Sequence, residues 1–126
     1  MSLLRRLFGS TIRDDAGAGA AGATAEDRQA VAIWIRLAEP SFQNEREQTR
    51  VFALEDRIMR ALDDSGLGEH DSNDLETGFL AIRCVGADAD AIVTFLRPML
   101  ADVPEGSYLA VRRGPPGTGE VREDLG

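Results

Sequence analysis

The chain's one histidine, His70, stands in an acidic run with Asp63, Asp64, Glu69, Asp71, Asp74 and Glu76 around it. Residues of these types at this spacing admit three chemistries: an imidazole base, a carboxylate site for a hard cation, or a negative surface for a basic partner. An imidazole base needs a nucleophile within reach. The sole thiol, Cys84, alternates with Leu80 and Ile82 in "FLAIRCV", which predicts a core cysteine, and buried cysteines are inert. Calcium loops of the EF-hand type want oxygen ligands at alternate positions. From Asp71 those positions are Asn73 and then Leu75, so the pattern breaks. Zinc needs more nitrogen or sulfur ligands than one histidine supplies. No catalytic set, no metal site and no cofactor is assigned. The remaining chemistry is contact. Asp63 and Asp64 fall at the predicted C-terminal end of a helix, where the macrodipole disfavours an anion by ~0.3–1 kcal/mol. Negative charge kept at an unfavourable place points to a basic protein partner, recruited by electrostatic steering. His70 itself is expected at the surface, beside a hairpin turn.

Composition narrows the field further. The 126 residues carry a net charge of −8, which argues against a nucleic-acid binder, because phosphate neutralisation needs a basic surface. All the basic residues are arginine. Without lysine there is no Schiff base, no phosphate-loop lysine and no Ser–Lys dyad. That bias, with abundant Ala and Gly, suggests a GC-rich bacterial genome. A single cysteine allows no internal disulfide and suits a reducing compartment. No apolar run approaches the ~20 residues that span a bilayer. The start, "MSLLRRLFGS", reads as a frayed leader, since isolated helices this short are marginal in water, with a weak amphipathic tether as the alternative. Its arginine pair resembles an export signal, but Asp14 and Asp15 interrupt the segment that should be apolar. A cytoplasmic protein is expected.

These residues must be positioned by regular elements. An Ala/Gly-rich leader and linker are expected over 1–29, a folded domain over 30–113 and a tail over 114–126. In "AVAIWIRLA", Val31, Ile33, Ile35 and Leu37 alternate with Ala32, Trp34 and Arg36, the period of a strand with one buried face. A helix follows from Asn44, with Glu47 placed to close a capping box and Val51, Leu54, Ile58, Ala61 and Leu62 as its apolar stripe. Gly66 stops it. Residues 67–71 are expected to form a short strand, and "FLAIRCVG" the next one. Asp88 or Asp90 caps a second helix, which Pro98 shortens. "SYLAVRR" is the last strand. Strand, helix, two strands, helix, strand predicts a ferredoxin-like βαββαβ fold: α+β, with a four-stranded antiparallel sheet and two helices on one face.

The segments "GLGEHD", "VGADADAI" and "VRRGPPG" resemble an uncharacterised family of small bacterial ferredoxin-like α+β proteins. Its members show a Gly-x-Gly-Glu-x-Asp hairpin and close on Arg-x-Gly-Pro-Pro-Gly. The resemblance covers roughly residues 30–125; Val85 and Ala87 stand where tyrosine and proline are usual, and His70 where an aromatic or aliphatic residue is commoner. It implies the fold and no activity.

In such a sheet the face away from the helices carries Trp34, Arg36, Phe79, Arg83, Tyr108 and Arg112, with Ala32, Ala81 and Ala110 among them. Trp, Tyr and Arg anchor interfaces, and small residues allow close approach. The expectation is a non-catalytic interaction or accessory module, able to form a homodimer through this face, with the acidic hairpin turned to a partner. A small-ligand or divalent-cation sensor using the hairpin is the alternative. An RNA-binding sheet face comes third, because "TGFLAIRC" lacks the basic residue and second aromatic of RNA-recognition sheets.

Overall fold

A computed structural model of the chain describes residues 28–125; the expected leader and N-terminal tether lie, but for the last two residues, outside the described residues. The first described element, β1 (Gln29–Arg36), is the alternating apolar strand of the sequence. Alternation sends Val31, Ile33 and Ile35 to one side, and all three are buried. α1 (Glu45–Ser65) begins where the Asn44 side chain accepts a hydrogen bond from the Glu47 amide at 2.9 Å. Glu47 does not complete a capping box. Its carboxylate accepts instead from the amides of Ala38, at 2.6 Å, and Glu39, at 3.4 Å, pinning the β1–α1 connection to the helix start. Gly66, at φ 73°, ends α1 in the left-handed region that glycine adopts freely.

β2 (Gly68–Glu76) and β3 (Phe79–Gly86) follow as a hairpin. The expected short strand 67–71 is thus nine residues long, and most of the acidic segment is strand. The turn is confined to Thr77 and Gly78, the latter at φ 80°. The Asp, Ser and Asn of 71–73 have the composition of a turn, but pairing with β3 overrides it. α2 (Ala89–Leu96) is capped by Asp88, whose side chain accepts from the Ala91 amide. Pro98 converts its continuation into a 3-10 turn over Arg97–Leu100. β4 (Tyr108–Arg112) returns beside β1.

The sheet then gains a fifth member, where the tail left room only for a short extended piece. Residues 120–124, expected in a tail, form β5 (Glu120–Asp124), paired with β4 from Arg112↔Glu120 to Tyr108↔Asp124. The sheet therefore has five antiparallel strands rather than four, in the order β2-β3-β1-β4-β5. Its inner face, with Leu80, Ile82, Cys84, Leu109 and Val111 beside the β1 residues, joins Val51, Ile58 and Leu62 of α1 and Ile92 and Leu96 of α2 in one core.

Close approach of α2 depends on two glycines. Gly68 and Gly86 are register partners, and a Cβ on Gly86 would stand 2.5 Å from the Leu67 carbonyl oxygen and 2.8 Å from Ile92 Cδ1. Gly86→Ala is expected to lower stability by about 1–3 kcal/mol through overpacking, read as a lower urea midpoint. An unchanged midpoint would show that neither the Leu67 backbone nor α2 needs glycine at this position.

Candidate functional site

Strand alternation would place positions 70 and 73 on opposite faces of the sheet. The register of β2 against β3 shifts between His70, opposite Cys84, and Ser72, opposite Arg83, leaving Asp71 as the extra residue of a β-bulge. After the bulge Asn73 lies opposite Ile82, so both His70 and Asn73 face the core. There they meet Glu55, which occupies the apolar stripe of α1 and is 1% exposed. Asn73 Nδ2 donates to Glu55 Oε2 at 2.7 Å, and His70 Nε2 lies 2.7 Å from the same oxygen. A carboxylate in its ionised form only accepts, and toward that form His70 would donate from Nε2. His70 Nδ1 and Asn73 Oδ1 have no hydrogen-bond partner among the described residues.

His70 is therefore buried, not a surface residue beside a turn. The other acids do not form one patch around it. Asp63 and Asp64 are exposed at the end of α1, on the helix layer. Glu69, Asp74 and Glu76 belong to the opposite, outer face of β2, through their register partners Val85, Ala81 and Phe79. Nor are they uncompensated: Glu69 pairs with Arg28 at 3.2 Å and Asp74 with Arg83 at 2.5 Å. Glu76 is exposed, and Asp71 is half-buried in the bulge.

Cys84 sits opposite His70, yet the pair is no nucleophilic dyad. Burial pushes the Cys84 thiol up to about 12, with the charges of Glu55 and Asp71 adding to the shift. The thiolate is the reactive form, and it is scarce at neutral pH. Among the described residues no three His, Cys, Asp or Glu side chains converge as a metal-binding group.

The outer face is the second assembly. Cross-strand register places Trp34 between Ala81 and Tyr108, and Ala32 between Arg83 and Ala110. Trp34 and Tyr108 stack almost parallel, 10° between planes and 5.8 Å between centroids. The Arg83 guanidinium lies 5.6 Å over Trp34 and that of Arg122, on β5, 3.9 Å over Tyr108. A continuous Arg83–Trp34–Tyr108–Arg122 stack thus crosses four strands. Phe79 meets both rings edge-on and has Arg36 above it. Ala32, Ala81 and Ala110 form the buried floor between these large side chains. The five expected members Trp34, Arg36, Phe79, Arg83 and Tyr108 are brought together. Arg112 lies apart, at the far end of β4, donating to the carbonyls of Arg28 and Gly114. A nucleobase would have to displace a guanidinium to stack on Trp34 or Tyr108.

Sequence reasoning missed three members: Glu55, Asn73 and Arg122. Glu55 did leave a signal, a carboxylate in register with Val51, Ile58 and Leu62 on an apolar helical stripe. Arg122 was legible only once β5 existed. Comparison with protein-family models, with curated proteins and with solved structures gives no match. No described helix is long and apolar enough to cross a membrane.

Two outcomes follow from the buried cluster. Glu55→Ala leaves His70 and Asn73 buried without their acceptor, and breaking such a pair costs roughly 3–5 kcal/mol. Glu55→Met with His70→Leu and Asn73→Leu, which removes the carboxylate and both groups bonded to it, should recover most of that loss in urea denaturation. A triple variant no more stable than the single one would sink this account. For Cys84, the folded-state pKa lies above the thiol's ordinary 9.0. Its contribution to stability is complete below pH 9 and is lost as pH rises towards 12. Iodoacetamide at pH 8 should label the urea-unfolded chain and spare the native one; equal labelling rates would contradict the burial.

Proposed function

We propose that this chain is a protein-interaction module that self-associates through the outer face of its sheet. The observation that carries the reading is the Arg83–Trp34–Tyr108–Arg122 stack with Phe79 beside it. Tryptophan, tyrosine and arginine are the residues that dominate binding energy at interfaces. Here they are held rigid by one another, so little side-chain entropy is lost on contact. The alanine floor leaves room for a second sheet, which packs about 10 Å from the first.

Charge supports a second copy as the occupant. The middle strands carry Arg36 and Arg83, while the edge strands carry Glu69, Asp74 and Glu76 on β2 and Glu120 and Asp124, with Arg122 between them, on β5; Asp74 already pairs with Arg83 and Asp124 with Arg122. Two such faces laid across each other bring acidic edges over basic centres, an isologous arrangement. The exposed Asp63 and Asp64, at the end of α1, remain available to a basic partner, a lesser part of the same reading. The ferredoxin-like frame belongs to the proposal too. Its support is the order β2-β3-β1-β4, with β5 added outside β4; this is also the fold that the family resemblance implies.

Light scattering after size exclusion tests the proposal. The wild type is expected as a dimer, with Trp34→Asp weakening association at least about 30-fold, the effect of removing a central aromatic anchor. A wild type that stays monomeric up to millimolar concentration would overturn the self-association reading.

A further inference from the structure

The last strand is attached unlike the others. None of the five residues of β5 is buried, and its one apolar member, Val121, is 54% exposed. Strands held without apolar burial open at low free-energy cost. What holds β5 is a ladder to β4 and a set of charged contacts. Glu123 is gripped by two arginines, Arg97 of the 3-10 turn at 2.7 Å and Arg113 at 3.1 Å. Arg113 is itself tied at 2.8 Å to Asp90 in the first turn of α2. One residue earlier Arg122 lies on the Tyr108 ring, and two residues later the Leu125 amide donates to the Ser107 carbonyl at 3.0 Å. Leu125 also packs on the core.

The β4 edge is thus a receptor coded for one side-chain order: arginine to the outer face, the next carboxylate to the inner face, leucine two places on. The geometry points to β5 as an exchangeable strand: residues 120–125 of one copy dock on the β4 edge of a second copy, with Glu123 seated between Arg97 and Arg113, while the second copy's strand fills the first. Three observations select this occupant. The receptor's own complement exists in every copy, so exchange rebuilds every contact without new chemistry. The strand carries Glu120, Glu123 and Asp124 against one arginine, whereas the edge presents Arg97 and Arg113. Bare β4 edges facing one another would set those arginines against each other, which disfavours direct edge pairing. The connection 114–119, Gly-Pro-Pro-Gly-Thr-Gly, spans at most ~20–22 Å when extended, enough to reach a neighbouring edge. This exchange is independent of the sheet-face dimer.

Register supplies the test. Val111 and Val121 are partners, as are Ala110 and Arg122. In a Cys84→Ala background, full-length chains carrying only Val111→Cys are mixed with chains carrying only Val121→Cys. They are incubated in 1 M sodium chloride to screen the ion pairs, returned to low salt, oxidised and run on a non-reducing gel. The second pair, Ala110→Cys with Arg122→Cys, is treated alike and guards against a misfolded first pair. A disulfide-linked heterodimer at least five-fold above the control mixture of Val111→Cys with Asp63→Cys is the expected result, since Val111 is sealed in the core and reachable only by a strand on its edge. Cross-linking at the control level in both pairs would overturn the exchange. Adding Trp34→Asp to all chains separates the two associations: it removes the sheet-face dimer and leaves the cross-link.

Discussion

A carboxylate in the core governs the geometry of one half of this molecule. Glu55 lies on the buried stripe of α1, where desolvation of an anion must be offset by donors close at hand. The two donors come from β2, and a regular strand could present only one of His70 and Asn73 to the helix. The bulge at Asp71 resolves the conflict by inserting one residue between them. Everything beyond the bulge is then shifted by one position. Asp74 and Glu76 turn outward, and Asp74 comes within reach of Arg83. Arg83 in turn is the guanidinium that covers Trp34. One buried charge thus connects, through strand register, to the composition of the opposite face.

The outer face solves a different problem. β1 is the middle strand of five, and the two helices cover only one side of it. Its outward alanine and tryptophan, with the alanines of β3 and β4, would be wet without cover. Among the described residues no third layer lies on this side. The sheet uses rings stacked in plane and guanidiniums laid over them, apolar enough to shelter the alanines yet charged at the rim. The same construction is rigid, and rigidity is what an interaction surface needs.

β5 joins the two faces at the other edge of the sheet. It contributes Arg122 to the aromatic stack and Glu123 to the arginines beside α2, while burying no residue of its own. Its attachment is polar where the rest of the sheet is apolar, so its stability responds to ionic strength more than that of its neighbours. That contrast sets β5 apart from β1, β3 and β4, which are held by apolar burial.

Periodicity in the chain determined the elements. β1, β3 and β4 were legible because their alternation is strong, and α1 and α2 because Asn44, Gly66, Asp88 and Pro98 mark their ends by local chemistry. The five aromatic and arginine residues of the outer face followed directly, since the period of a strand assigns side chains to faces before any pairing is known. Length and register were another matter. Asp71, Ser72 and Asn73 have turn chemistry, and only pairing with β3 makes them strand. "EVRED" has too little apolar content to announce itself, and only the free edge of β4 makes it a strand at all. The inward turn of His70 depends on a bulge that no local pattern encodes, because it answers a charge fifteen residues away on a helix. Local propensity and alternation act within a few residues and can be read from the chain. Pairing partner, register and the burial of a charge are non-local, and the tertiary structure alone decided them.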